Sequence, residues 1–254
     1  MSRQPLLEIA AGSLASALAA QEGGADRVEL CGSLAEGGIT PSYGTLALVR
    51  DRVRIPVYVL IRPRGGDFLY GDAEFEIMLR DVEACARVGC DGVVIGALDA
   101  DGHVDSRCRE LVSAAGKLGV TFHRAIDASA DLSRSLEDII ALGCERVLTS
   151  GGAANALAGA SVIADLVKQA GERIVVMAGA GIRSANLAEV AKRTQAHDFH
   201  GSARAVLHSA MRYLNPALLD LAPDIEQSSV DEVRAMKTQL AAFFSLSPSG
   251  RGLG

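Results

Sequence analysis

Phe122-His123-Arg124-Ala125-Ile126-Asp127 puts a histidine, an arginine and an aspartate directly after a short apolar run, Gly119-Val120-Thr121-Phe122. A strand that turns polar at its carboxyl end delivers side chains to a site, because the following loops converge there. Other apolar runs end the same way. Glu8 lies between Leu7 and Ile9, Glu29 and Cys31 alternate with Val28 and Leu30, and Arg62 closes a third run with Arg64 just past Pro63. His200 precedes Gly201-Ser202. Side chains alternate along a strand, so Glu8, Glu29, Cys31, Arg62, Arg64, His123, Arg124, Asp127 and His200 are expected at one mouth. Glu8, Glu29, His123 and Asp127 are the candidate proton carriers, and the arginines are candidate anion ligands. Inward carboxylates on neighbouring strands repel unless cations stand between them. Glu8, Glu29, Arg62, His123 and Arg124 are therefore expected to form one connected cluster, with His123 titrating near neutral pH. The plainer alternative is a salt-bridge network that only holds the fold.

Three glycine-bearing segments add to the anion reading: Thr149-Ser150-Gly151-Gly152, Ala178-Gly179-Ala180-Gly181-Ile182 and His200-Gly201-Ser202-Ala203-Arg204. Backbone N–H groups in such loops, or at a helix start, hold phosphate or carboxylate. Ser150, Gly151, Gly152, Gly179, Gly181, His200, Ser202 and Arg204 thus join Arg62, Arg64 and Arg124 as candidate anion ligands. The alternative is that the glycines simply permit tight turns. For metals the pattern is thinner. There is no C-x-x-C pair. Cu(I) prefers soft thiolate or thioether ligands, and Cys31 is the one cysteine expected at the mouth, with His123 and His200 able to supplement it.

These side chains need a scaffold. The apolar runs Leu6–Ala10, Arg27–Cys31, Val57–Ile61, Gly92–Gly96, Gly119–His123, Arg146–Ser150, Arg173–Ala178 and His197–Gly201 are short and continuous, which suits parallel strands covered on both faces. Between them lie segments with helical spacing, such as Ala73–Val88, Asp105–Leu118, Leu132–Leu142 and Asn186–Thr194. A joint of helix end, glycine, acidic residue and strand recurs at Gly23-Gly24-Ala25-Asp26, Gly89-Cys90-Asp91 and Gly143-Cys144-Glu145. Eight strands alternating with helices predict an α/β chain forming a single (β/α)8 TIM-type barrel, with a doubly wound open sheet as the alternative. One domain is expected over residues 1–254, with a last strand near Gly201, a C-terminal helix over about 230–244 capped by Ser228 or Ser229, and a flexible tail over 245–254.

The chain has 254 residues, 49% hydrophobic and 22% charged, with a net charge of -6. That balance argues against nucleic acid as a partner, which requires a basic face. No apolar run approaches the ~20 residues of a membrane span, and Leu6–Ala11 reads as a strand rather than a signal segment. Five scattered cysteines point to free thiols and a cytoplasmic location.

The quoted motifs run in the order found in a known family. Val28-Glu29-Leu30-Cys31 is followed by Glu36-Gly37-Gly38-Ile39-Thr40-Pro41-Ser42 and by Ile61-Arg62-Pro63-Arg64-Gly65-Gly66-Asp67-Phe68-Leu69-Tyr70. Then come Gly96-Ala97-Leu98, Phe122-His123-Arg124-Ala125, Thr149-Ser150-Gly151-Gly152, Gly179-Ala180-Gly181 and His200-Gly201-Ser202-Ala203-Arg204. Over about residues 6–204 the chain resembles the CutC family of copper homeostasis proteins. The resemblance implies a TIM-type barrel, cytoplasmic and often a homo-oligomer, with copper as Cu(I) held by cysteine. The matching cysteine is Cys31; residues 1–30 contain no second one. The rival expectation is an enzyme acting on a small anionic or phosphorylated metabolite, and a third is a binding barrel without catalysis.

Overall fold

The computed structural model describes residues 4–217 and 223–246. Eight parallel strands close into a barrel in chain order: β1 (Leu6–Ala11), β2 (Arg27–Leu30), β3 (Val57–Leu60), β4 (Gly92–Ile95), β5 (Gly119–Phe122), β6 (Arg146–Thr149), β7 (Val175–Ala178) and β8 (Asp198–Gly201). β8 pairs with β1, so the sheet has no edge and the open-sheet alternative falls. Helices α1 (Leu14–Glu22), α2 (Tyr43–Arg52), α3 (Asp72–Val88), α4 (Cys108–Ala115), α5 (Leu132–Leu142), α6 (Ala160–Ala170) and α7 (Leu187–Thr194) follow the first seven strands. The C-terminal helix α8 (Val230–Leu246) packs against α1 and α7 and completes the ring. The tail expected over 245–254 lies outside the described residues from 247 onward. Among the described residues no helix is long and apolar enough to cross a membrane.

The recurrent joint has a physical reason. Gly24, Gly89 and Gly143 take φ of +87°, +77° and +87°, the left-handed turn that ends a helix and sends the chain back into a strand. The acidic residue that follows is used in turn. Asp26 accepts the N–H of Leu7 at 2.7 Å and Asp91 that of Val57 at 2.8 Å, so each ties down the start of the preceding strand.

The outward residues of the strands form an apolar layer against the helices, with Leu7, Ile9, Val28, Leu30, Val93, Phe122 and Phe199 buried in it. The barrel interior is different. Its lower half, at the strand amino ends, holds charge. Arg27 stacks over the Tyr58 ring at 4.1 Å, and the Tyr58 hydroxyl donates to Glu145 at 2.7 Å. Arg146 reaches both Glu145 at 2.7 Å and the buried Asp198 at 2.9 Å. Gly92 and Gly119 make room for this arrangement: a Cβ there would lie 2.2 Å and 2.1 Å from Tyr58 atoms.

One element departs from the sequence reading, which ended the strands at Gly201. After β8 the chain forms an antiparallel pair, β9 (Arg204–Leu207) with β10 (Ile225–Ser228). Val206, Met211, Tyr213, Leu214 and Ile225 in and between these strands are exposed. The pair separates β8 from α8. Ser228 anchors it, its N–H donating to Ser16 and its hydroxyl to the carbonyl of Ser202.

Candidate functional site

The cavity at the carboxyl ends of the strands has a volume of about 360 Å³. Glu29 lies in its floor, Arg62, Phe68, His123 and Arg124 along one wall, and Gly181, Arg183, His200, Ser202 and Arg204 along the other. The register explains the floor. Glu8 on β1 stands between Arg27 on β2 and His200 on β8. It is wholly buried, ion-paired to the Arg27 Nε, and meets His200 Nδ1 at 2.7 Å. One level up, Glu29 faces Ala10. That small residue lets Glu29 reach across β1 towards β8, where its carboxylate stands 3.7 Å from His200 Nε2.

The result is a chain Arg27–Glu8–His200–Glu29 that ends at the cavity. Burial opposes the charge on Glu8, but Arg27 and His200 outweigh it and hold the pKa down at about 2. Glu29 behaves oppositely. Burial and then the Glu8 charge outweigh His200 and Arg27 and push its pKa up to about 7. His200 is disfavoured as a cation by burial, yet the Glu29 and Glu8 carboxylates raise its pKa above the ordinary value. Two carboxyl groups around one imidazole thus have opposite shifts, Glu8 held ionised and Glu29 raised towards neutral pH.

The expected five-residue cluster does not exist in that form. The cation between Glu8 and Glu29 is His200 together with Arg27. Arg62 instead donates to the carbonyls of Glu36, Gly38 and Gly66 at 2.9, 2.7 and 2.9 Å, clamping the loops after β2 and β3. Arg124 pairs with Asp127 at 2.8 Å and donates to Ser150 at 2.9 Å, while still lining the cavity. Arg64 does not line it; it is held by Glu74 at 2.6 Å and Asp67 at 2.9 Å. His123 does not titrate near neutrality: burial, then Arg62, lowers its pKa to about 3.

The glycine loop after β6 is occupied from within. Asp127 accepts from Ser150 N, Ser150 Oγ, Gly152 N and Thr149 Oγ1. Gly151 and Gly152 take φ of +71° and +67°, which turns the loop around this carboxylate. Ser150, Gly151, Gly152 and Asp127 therefore lie off the cavity, their anion site filled by the chain's own side chain. We expect Asp127→Ala to lose ~3 kcal/mol in urea denaturation, because several buried donors lose one acceptor. Loss of amide exchange protection at Ser150 and Gly152 would accompany it; unchanged protection would contradict this.

The loop after β7 remains at the cavity. Asn186 fixes it, accepting the Arg183 N–H and donating to the Gly181 carbonyl, both at 2.9 Å. Ala180 and Ala203 flank the cavity at φ of +76° and +47°, a conformation side chains avoid and that clusters at functional sites. Gly179 lies beneath the cavity, with room for no Cβ against Leu148. Arg204 pairs with Glu226 and donates to Ser202.

Arg27, Phe68 and Arg183 were not among the residues singled out in the sequence. Arg27 has the strand parity of Glu29, and that signal was present.

Cys31 is 1% exposed, packed with Tyr58, Leu60 and Val94 in the barrel interior and covered by Gly38. Burial, and then the Glu29 charge, pushes its thiol far above the ordinary range. Among the described residues, the groups of three or more metal-type donors are Glu8, Glu29, His200 and Asp99, Asp101, His103; neither includes a cysteine. The residues present therefore do not form a Cu(I) thiolate site around Cys31.

A profile of the CutC family matches residues 5–205. A CutC family protein from Xylella fastidiosa is 61% identical over 231 residues, 91% of this chain and 86% of its own. One from Chromobacterium violaceum is 51% identical over 241 residues, 92% and 98% of the two chains. Among solved structures, a proposed copper homeostasis protein CutC from Streptococcus agalactiae is 33% identical with a TM-score of 0.74, covering 78% of this chain and 99% of that one. Phosphoribosylanthranilate isomerase from Thermotoga maritima, at 11% identity and a TM-score of 0.56, shares the barrel fold alone. The profile match over most of the chain and the high identity to its bacterial relatives place this protein in the CutC family.

Proposed function

We propose that this chain binds and acts on a small anionic metabolite at the barrel mouth, with Glu29 and His200 as the proton-transfer pair. The observation that carries this reading is the buried Glu8–His200–Glu29 chain ending in a cavity rimmed by Arg183 and Arg204. A general acid or base works best with a pKa near the operating pH, and Glu29 at about 7 meets that condition. Arginines keep their charge and match carboxylate or phosphate geometry. A cavity of about 360 Å³ falls in the range of small-molecule sites.

The rival reading, Cu(I) on Cys31, needs a thiolate, and the surroundings of Cys31 oppose one. A place in copper homeostasis would then run through the metabolite chemistry. Two measurements test this. In a metabolite-library thermal-shift screen, a ligand at 100 times its dissociation constant stabilises by ~2.7 kcal/mol. We expect anionic hits that weaken at least tenfold in Arg183→Gln and Arg204→Gln. In anaerobic Cu(I) titration we expect the parent and Cys31→Ser to bind equally and weakly. Tight copper binding lost in Cys31→Ser, with no anionic hits, would overturn the proposal.

A further inference from the structure

The Glu29–His200 pair and the arginine rim leave His123 without a part. Its placement is nonetheless specific. His123 opens the short turn Arg124–Ala128, and its Nδ1 accepts the N–H of Ala125 at 3.1 Å. A ring nitrogen that accepts carries no proton, so in the neutral imidazole the hydrogen sits on Nε2. The backbone thereby sets the tautomer. Burial, then Arg62, keeps the ring neutral, with its pKa near 3.

The ring lines the cavity, yet it is only 5% exposed and its Nε2 has no hydrogen-bond partner among the described residues. A buried polar group left unpaired is costly, and of the unpaired buried side-chain atoms this is a hydrogen-bond donor on a ring at the cavity wall. Neighbours shape the seat. At Gly96 a Cβ would come within 2.4 Å of the ring, so the glycine clears the space, and Phe68 packs against the imidazole at 5.1 Å between centroids.

A neutral imidazole N–H donates without readily losing its proton. That suits an oxygen that gains negative charge during reaction, such as a carbonyl beside a carbon losing a proton. Its position across the cavity from His200, with Glu29 in the floor, supplies the other half of such a reaction.

We propose that the ligand is a small anionic carbonyl compound whose carbonyl oxygen accepts from His123 Nε2–H. This rests on the anion-binding, proton-transfer reading of the same cavity. The anionic group lies against Arg183 and Arg204, and Glu29, as the carboxylate, takes the proton from the carbon next to the carbonyl. The C–H bond breaks and its electron pair forms a carbon–carbon double bond. The carbonyl π pair moves onto oxygen, held by His123, and the proton rests on Glu29. The Glu29 proton is exchanged with solvent, and delivery of a solvent-derived proton back to the same carbon re-forms the C–H bond and the carbonyl, so the net result is hydrogen exchange at that carbon. No oxidant or reductant is consumed.

The test compares matched probes: pyruvate with lactate, dihydroxyacetone phosphate with glycerol 3-phosphate, and fructose 6-phosphate with glucitol 6-phosphate. Sulfate serves as the plain anion. Binding is read by thermal shift, and exchange of the adjacent C–H for deuterium by NMR in D₂O. We expect at least one oxo member to bind about tenfold tighter than its hydroxy partner and to exchange. His123→Phe should erase that preference while leaving the hydroxy partner within twofold, which also shows that the variant is folded. His123→Gln, which keeps an N–H donor, should retain part of the preference. Exchange should drop at least 100-fold in both His123→Phe and Glu29→Gln. If every pair binds equally and the parent catalyses no exchange, the carbonyl inference is overturned while anion binding stands. If neither sulfate nor any probe binds, both fall together.

Discussion

Arg27→Ala is expected to destabilise the protein by about 3–5 kcal/mol at pH 7, because it strips the principal cation from a buried carboxylate. Glu8 has no access to solvent, and among the described residues Arg27 is the one arginine that pairs with it. Removing Arg27 leaves it His200 and the more distant Arg146, and also takes a cation from the face of Tyr58. Glu8 then has to take up a proton or lose its hydration uncompensated. The pair Glu8→Leu with Arg27→Met should recover a large part of the loss, since replacing both partners by apolar groups removes the unpaired charge. Urea denaturation of the three proteins measures this. A single variant within 1 kcal/mol of the parent would contradict the ion pair as drawn.

Glu29→Gln is expected to flatten the fall in stability between pH 5 and pH 8. The native pKa of Glu29, about 7, lies above its ordinary 4.5. Between those values the folded protein holds a proton that the unfolded chain has released. The contribution is complete below pH 4.5 and is lost as pH rises through about 7. A displacement of that size corresponds to ~3 kcal/mol. His200, whose pKa is also raised, acts in the same direction. Glu8 and His123 have lowered values, so their contributions are present at higher pH and are lost on acidification. Both remain in the variant and largely cancel in the difference. The parent should therefore lose about 2–3 kcal/mol relative to Glu29→Gln on going from pH 5 to pH 8. A constant difference across that range would show that Glu29 is an ordinary carboxylate.

The strand pattern was legible because continuous apolar runs and glycine joints are local signals. Seven of the eight strands begin within one residue of their expected positions; the seventh starts at Val175 rather than Arg173. Helix α4 is shorter than the Asp105–Leu118 expected, because Asp105 is held back in the loop, its N–H donating to Ala97 and its carboxylate pairing with Arg107. The β9–β10 pair was not legible: its strands are four residues each and their pairing spans a long intervening segment.

At the site, strand parity correctly turned Glu8, Glu29 and His123 inward, but it says nothing about which charge meets which. Arg27 shares the parity of Glu29, yet stands at a strand start where a charged residue reads as solvated. His123 looked like a neutral-pH titrating group because its environment is invisible to spacing; burial and Arg62 decide otherwise. The Ser150–Gly152 loop looked open to an outside anion because Asp127, 23 residues earlier in the chain than Ser150, fills it only in three dimensions.

The most direct measurement of the central claim is the NMR titration of His200, followed by its ring chemical shifts and assigned with His200→Gln, with and without sulfate. We expect a midpoint above 6.5, moved further up by sulfate at the Arg183 and Arg204 rim and moved down in Glu29→Gln. His123 should stay neutral throughout, titrating only near pH 3. A His200 midpoint at or below 6.5, indifferent to both sulfate and Glu29→Gln, would contradict a proton-handling anion site at the barrel mouth.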